Sequence, residues 1–594
     1  MTAGGDGFVK MSFGLQSMYY KYAWGVNFWN EAERDTEAKH RELVCCRGDS
    51  AAMQAVVGAD SDFMLTVGTS ALFWKGGPLP IVRVELHSNA LQEGIRAEIK
   101  LIGLVEDDDG TRKADMLLDE RHMFVEKRRL QQVWIEFHAS ADARPGLYSG
   151  KIRLFTHTLF EDEEPAGELA FSLKVLERVL PAPSQYGFYL DLWQHNSNIA
   201  RKYQVPLWSD EHFAIIDRYL ESLGQLGQKA ATLVVSEIPW SGQGTHTDAE
   251  PSDLFEYNIV GVNRRMDGTF SYDYSALDRY VELARRHGIA EEIELFGLLN
   301  VWQTRDGVYG APIRDYPDGI RIRYYDEATG TFRFMRERVE LEHYVRALEA
   351  HFKAKGWTGR VRIMADEPAD LAQFGERLSA LRRMAPSFAY KIAINHAEFI
   401  AAKLEGMRDY VPKLNCALHE FDRIRELRSQ VAGRMLYYVC NNPRRPNTFI
   451  GSPSIECRII PWLAARLQLD GFLRWNYTVW PDRPLESIRY RPSHWPAGET
   501  NFVYPGAGGK PLLSLRYKWL QRGIRDFELM RQLADEGLTA QVGALLSGVF
   551  RFKDEELGAV SLSGDAEKLY SLEPADYDRL FGLLEAMEEG GVCL

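Results

Sequence analysis

VRIMADEPADLAQFGERLSALRRMA, residues 361–385, carries the decision about the fold. It opens as a short apolar-rich run of strand length. It passes through two adjacent carboxylates, Asp366 and Glu367, and Pro368, then continues as a helical stretch. A strand that feeds directly into a helix is the repeating unit of an α/β fold.

The same unit recurs on both sides of this stretch. Upstream, YGFYLDLW (186–193) reads as a strand, followed by the helical WSDEHFAIIDRYLESLGQLG (208–227) with Ser209 or Asp210 as its N-cap. ATLVVSEIPW (231–240) and EEIELFGLLNVW (291–302) are further strands, each trailed by a helical segment: DYSALDRYVELARRHGI and VELEHYVRALEAHFKAKGW. Downstream, strands are expected at AYKIAINHAEF (389–399), KLNCALHEF (413–421), RMLYYVCNN (434–442) and GFLRWNYTVW (471–480). A helix at SIECRIIPWLAARLQL separates the last two. About eight strand-plus-helix units over about 300 residues predict a (β/α)8 TIM barrel, here residues 186–500. NIVGVNRRMDGTFSYD and RIRYYDEATGTFRF interrupt the pattern and read as β-hairpins in barrel loops.

Outside the barrel the texture differs. In residues 1–180, PIVRVELHSN, QQVWIEFHAS, RPGLYSGKIRLF and GELAFSLKVLE alternate apolar and polar residues with period two, which predicts an antiparallel β-sandwich. Residues 501–594 read as a C-terminal helical extension.

Composition bounds the function. A net charge of −13 supplies no basic field for nucleic acid. The six cysteines form no C-x-x-C pair, so neither a disulfide framework nor a zinc site is expected. The first residues lack the layout of a signal peptide, and no apolar run reaches membrane-spanning length. A cytoplasmic protein without a membrane span is expected. H-E-x-x-H, Walker A, G-x-S-x-G and a strand-linked G-x-G-x-x-G are all missing from the sequence.

In a barrel, residues at the C-terminal strand ends do the chemistry. Asp366 and Glu367 hold such a position. Helix capping ahead of Pro368 is the plain alternative for one or both. Ordinary glycosidases set two carboxylates roughly 5–10 Å apart across the scissile bond, which adjacent residues rarely achieve. Adjacent acids suit catalysis in which a substrate 2-acetamido oxygen is the nucleophile. One carboxyl protonates the leaving oxygen. The other holds the acetamido N–H and balances the oxazolinium charge. Their mutual repulsion raises one pKa, which keeps an acid protonated near neutral pH. The other presumed strand ends also finish in polar or aromatic residues: Trp193 and His195, Glu237 and Trp240, Asn300 and Trp302, Asn395 and His396, Tyr438 and Asn441, and Arg474 to Tyr477 with Trp480. Any one of these is ordinarily structural. Their convergence is what suggests a pyranose pocket.

LDLWQHNSNIARKYQVPLWSDEHF, the MADEP pair, GFLRWNYTVWPDRP, and ETNFVYPG followed by SLRYKWLQRGIRDFELM together resemble glycoside hydrolase family 123 over most of the chain. The resemblance implies a retaining, substrate-assisted β-N-acetylgalactosaminidase, with Glu367 as general acid/base and Asp366 as orienter of the acetamido group. It departs from the family pattern at Glu499, where an Asp is expected, and at the Arg-Asp-Phe of RGIRDFELM. The expectation is an exo-acting enzyme that needs no metal or cofactor. A terminal β-GalNAc would rest against Trp475 or Trp480, in a pocket that also draws on Trp193, His195, Glu237, Trp302, His396, Tyr438, Asn441 and Asn476. A β-GlcNAc-preferring hexosaminidase and a non-catalytic glycan-binding barrel remain the alternatives. The natural aglycone, the residue that reads the 4-hydroxyl and the oligomeric state stay open.

Overall fold

The computed structural model describes residues 10–26, 39–68, 79–158, 161–239, 255–299, 320–481, 483–488 and 495–590. The N-terminal region is two packed sheets. One runs β1 (Met11–Ser17), β3 (Ser50–Ala59), β9 (Leu130–His138), β6 (Arg96–Glu106), β7 (Arg112–Leu117). The other runs β2 (His40–Arg47), β11 (Glu164–Val179), β10 (Gly146–His157), β5 (Ile81–Ser88), β4 (Phe63–Val67), β8 (His122–Val125). Met53, Val57, Val133 and Ile135 of the first sheet meet Val84, Ile152, Leu154 and Leu173 of the second in one core. The expected antiparallel pairing holds for most ladders, but β2 pairs parallel with β11 and β4 parallel with β5. Period-two patterning reports which face is buried and is blind to strand direction, so the sequence could not distinguish these pairs.

The second region alternates strands and helices. The strands are β12 (Tyr189–Leu192), β13 (Ala230–Val234), β18 (Glu292–Leu299), β21 (Val361–Ala365), β22 (Ala389–Ile394), β23 (Met407–Pro412), β24 (Leu436–Tyr438) and β25 (Gly471–Arg474). β13 to β23 pair successively in parallel, as do β24, β25 and β12. Parallel bridges at Leu190–Gln228, Tyr410–Met435 and Lys413–Tyr438 join the two sets, so the order of neighbours returns to its start. The helices in chain order are α1 (Asn196–Tyr203), α2 (Asp210–Leu226), α3 (Ser275–Arg286), α4 (Arg338–Ala354), α5 (Leu371–Met384), α6 (Glu398–Ala401), α7 (Leu414–His419), α8 (Phe421–Arg428), α9 (Ile455–Arg466) and α10 (Leu515–Asp535). Ser209 caps α2 as expected, accepting from the His212 amide at 3.2 Å. KLNCALHEF is not a strand: β23 is the preceding MRDYVP, and Leu414 opens α7. MRDYVP interrupts its apolar residues with Arg408 and Asp409 and ends in proline, and so concealed a short buried strand.

Alternation along the strands explains their nearly continuous apolar runs. On β21, Val361, Ile363 and Ala365 face the surrounding helices, whereas Met364 joins Phe296, Ala393, Leu436 and Leu473 in the space the strands enclose. One polar cluster lies in that interior. The buried Nζ of Lys391 sits 2.5 Å from carboxylate oxygens of Asp191, Glu292 and Glu294. These acids converge closely enough to suggest a metal site, but the ammonium takes its centre.

Two hairpins, β16 (Gly261–Arg264) with β17 (Phe270–Asp273) and β19 (Arg323–Asp326) with β20 (Thr331–Phe334), match the predicted insertions. They join through a parallel β16–β19 pair into one four-stranded sheet. The β14 (Ile238–Pro239) and β15 (Phe255–Glu256) pair lies between β13 and this sheet.

α10 ties the regions together. On one side it crosses α9 closely: a Cβ at Gly523 would stand 2.3 Å from the Arg458 carbonyl oxygen, so no larger residue fits there. On the other side it covers the first N-terminal sheet through buried pairs of Arg516 with Asp115, Lys518 with Glu136 and Arg522 with Asp49. The Arg-Asp-Phe departure belongs to this seam. Arg525 approaches Asp49, Asp526 accepts from Arg458 and Trp462, and Phe527 packs on Phe188. After it come α11 (Thr539–Val549) and α12 (Pro574–Glu588). No described helix is long and apolar enough to cross a membrane.

Candidate active site

The acid pair follows β21 directly. Alternation sends Met364 inward, and Asp366 continues that face. A regular strand would then turn Glu367 outward. It does not, because Glu367 has φ +41°, the left-handed region that non-glycine residues enter at a cost of about 1–3 kcal/mol. The turn brings the Glu367 carboxylate against β22 and β24. Oε1 accepts a hydrogen bond from the Tyr438 hydroxyl, and Oε2 lies 3.4 Å from the Asn395 amide nitrogen.

Helix capping does not account for either acid. α5 begins at Leu371, and its N-cap is Asp370, which accepts from the Gln373 amide at 2.8 Å. Asp366 and Glu367 therefore stand several residues short of the first turn.

Burial pushes the Asp366 carboxyl well up. The adjacent Glu367 charge adds to the rise, and Lys413 opposes it. Lys413 follows β23, with its ammonium 5.9 Å from the Tyr438 ring centre. Sequence reading opened a strand at Lys413, whereas the residue follows one.

Trp475 stands one residue past β25. It is half-buried, its ring 5.4 Å from Trp495 and edge-on to His195 at 6.3 Å. The indole N–H donates to Glu499 Oε1 at 2.8 Å. Glu499 Oε2 lies 2.5 Å from Nη2 of the buried Arg474. Arg474 also donates to Asn447 Oδ1 at 3.0 Å and to the Val439 carbonyl at 3.2 Å. Glu499, a departure from the family pattern, is thus the residue that holds the Trp475 indole. Its carboxyl is pushed up to about 7 by burial, against the pull of Arg474.

The other predicted residues divide. Glu237 stands just past β13 with Arg323 Nε at 3.1 Å from Oε1, and burial raises its carboxyl to about 7. Asn441 accepts from the Cys440 thiol at 3.2 Å, one residue beyond a strand-end cysteine. His195 is fully buried, with Nε2 2.5 Å from the Trp475 carbonyl. Burial lowers its pKa to about 4, so it braces the Trp475 backbone as a neutral imidazole. Trp193 is 2% exposed and packs on Phe296.

Two expectations are corrected. Trp480 is fully buried, donates to the Val503 carbonyl at 2.8 Å and packs on Tyr219, so it offers no face to a sugar. His396 is exposed, its side chain 71% accessible beside Glu420. Asn395, one residue past β22, continues the inward face, which turns His396 out. The chain past Arg474 leaves the strand, so residue spacing no longer reports the facing of Trp480. Asn476 is fully buried, and neither atom of its side-chain amide has a hydrogen-bond partner among the described residues. Trp302, with Trp240 and Asn300, lies outside the described residues.

A family model described as glycoside hydrolase 123, catalytic domain, matches residues 193–533. A solved family 123 glycoside hydrolase from Clostridium perfringens, described for glycolipid glycan hydrolysis, is similar with a TM-score of 0.70 at 19% identity. The match covers 98% of each chain. A putative glycoside hydrolase from Bacteroides vulgatus matches at a TM-score of 0.30 and 11% identity, over 84% of this chain and 79% of that one. No curated protein matches.

Proposed function

The chain belongs to glycoside hydrolase family 123, and on that premise we propose that it is an exo-acting β-N-acetylgalactosaminidase that works through a substrate-assisted, retaining mechanism. The observation that carries this reading is the adjacency of Asp366 and Glu367 at a strand end, where neither caps a helix and both turn inward. The ring of eight strand–helix units is read as a (β/α)8 barrel, with the pair at its C-terminal mouth. On this reading the catalytic domain starts at 186 and keeps α10 as its last helix, beyond the division at 500. The β-sandwich at 1–180 braces it, and the helices after α10 form the tail.

In the proposed cycle, the acetamido N–H of the bound sugar donates to Asp366 and favours its carboxylate. The proton shared by the pair then passes to Glu367. Glu367 protonates the glycosidic oxygen as the acetamido carbonyl oxygen attacks C1, and the C1–O bond breaks. Asp366 balances the positive oxazolinium. Glu367, now a carboxylate, takes a proton from water, which adds to C1 from the face the leaving group vacated as the bond from C1 to the acetamido oxygen breaks, restoring the acetamido group with net retention. Tyr438 and Asn395 hold the Glu367 carboxylate for both transfers. Trp475 offers an aromatic face to the ring. A glycolipid glycan, the substrate class named for the clostridial enzyme, is a candidate natural substrate.

Release of p-nitrophenol from the β-GalNAc and β-GlcNAc aryl glycosides tests the reading. Preference for GalNAc supports it, preference for GlcNAc makes the chain a related hexosaminidase, and hydrolysis of neither sinks the activity. Glu367→Gln is expected to lose at least about 10³-fold in kcat/KM. Full activity in that variant removes Glu367 from the acid role.

A further inference from the structure

The four-stranded hairpin sheet carries an aromatic face that the mechanism above does not use. Both hairpins sit in connections between a strand's C-terminal end and the following helix, so they emerge on the same side as Glu367. Their two faces differ. Val262, Phe270, Tyr272 and Tyr324 turn inward: Phe270 packs edge-on against Tyr324 at 5.2 Å, and Tyr272 against Tyr344 of α4 at 5.5 Å. On the outward face, Tyr325 pairs across the ladder with Phe332 and lies beside Asn263, their rings 5.4 Å apart. Tyr325 is 38% exposed and Phe332 65%.

This face reaches the C-terminal strand ends through one side chain. The Arg323 guanidinium lies 5.1 Å from the Phe332 ring and 4.9 Å from Tyr257, while its Nε bonds Glu237 Oε1 at the end of β13. What the face presents is two aromatic rings edged by the Asn263 amide and the Arg323–Glu237 hydrogen bond. Apolar rings flanked by directional hydrogen-bonding groups suit the C–H face and hydroxyls of a neutral sugar.

We propose that the outward face of the hairpin sheet, centred on Tyr325 and Phe332, binds the leaving-group sugars of a neutral oligosaccharide while the terminal residue occupies the pocket beside Glu367. This rests on the exo-glycosidase reading. It extends that reading from the cleaved sugar to the part of the substrate that selects it.

The test compares a neutral oligosaccharide ending in β-GalNAc with the p-nitrophenyl glycoside, which carries no leaving-group sugar. Phe332→Ala combined with Tyr325→Ala is expected to raise KM for the oligosaccharide about tenfold, to leave its kcat within twofold, and to leave aryl-glycoside kinetics unchanged. Unchanged kinetics on both substrates overturns the proposal. So does an equal loss on both, which marks a structural role. A change in oligomeric state by light scattering with oligosaccharide kinetics intact assigns the face to a protein contact instead. If the wild-type protein cleaves neither substrate, the activity reading falls by itself. Calorimetric titration with the same oligosaccharide then decides the face: weaker binding by the double variant supports it, and equal binding refutes it.

Discussion

Glu499→Gln measures whether burial or pairing dominates behind Trp475. Glu499 and Arg474 are both fully buried, 2.5 Å apart, and the Trp475 indole donates to the other Glu499 oxygen. Taking two charges out of water opposes their attraction, and either effect can win. Here burial wins, since it moves the Glu499 carboxyl from 4.5 up to about 7 against Arg474 and the indole hydrogen bond. Between those values the folded chain holds a proton that the unfolded chain has released, so folding stability falls as pH rises through the window. At about 1.4 kcal/mol per pH unit, the loss from this one group reaches about 3 kcal/mol by the upper end. Glutamine cannot ionise and has no such slope. Denaturant midpoints for wild type and Glu499→Gln, taken in steps from about pH 4.5 to about pH 8, should therefore show wild type losing ground by about 3 kcal/mol. Trp475 emission should titrate near pH 7 in wild type and stay flat in the variant. A stability difference that holds level with pH refutes the reasoning, because the carboxyl then titrates alike in both states. A difference that grows in favour of wild type refutes it the other way, because pairing with Arg474 then exceeds the cost of burial.

Asp366→Asn should lower kcat/KM at least about a hundredfold while raising stability at neutral pH. Folding raises the Asp366 carboxyl, so wild type loses stability as pH climbs above the unfolded value; the asparagine variant avoids that loss, and thermal midpoints should converge toward pH 4. Lys391→Met strands three buried carboxylates and should cost about 3–5 kcal/mol, read as a lowered midpoint. The deficit should shrink in acid, where Glu292 and Glu294, both raised by burial, accept protons more readily; a deficit that grows in acid contradicts this account.

Much of the architecture was legible in one dimension. Strand-plus-helix punctuation is local: a run such as VRIMA and a capped helix such as the one after Ser209 announce themselves through propensity and spacing. The two hairpin insertions were visible for the same reason. Strand direction was not, since β2–β11 and β4–β5 pair parallel with a pattern that serves either direction. β23 escaped because MRDYVP looks like a loop until its neighbours bury it.

The site divides along a similar line. Sequence by itself determined that Asp366 and Glu367 stand together at a strand end, because covalent adjacency and a local apolar run suffice for that. It also marked Glu499 as unusual without saying what it touches. Tertiary structure alone decided that Glu367 turns back through a left-handed φ to meet Tyr438 and Asn395. It alone decided that Lys413 follows a strand and opposes the rise of the Asp366 carboxyl, that Trp480 is core, and that His396 faces water. The physical reason is that facing and burial arise from contacts between strands far apart in the chain. A tryptophan or histidine carries the same letters whether its neighbours leave it at the mouth of a pocket or seal it inside.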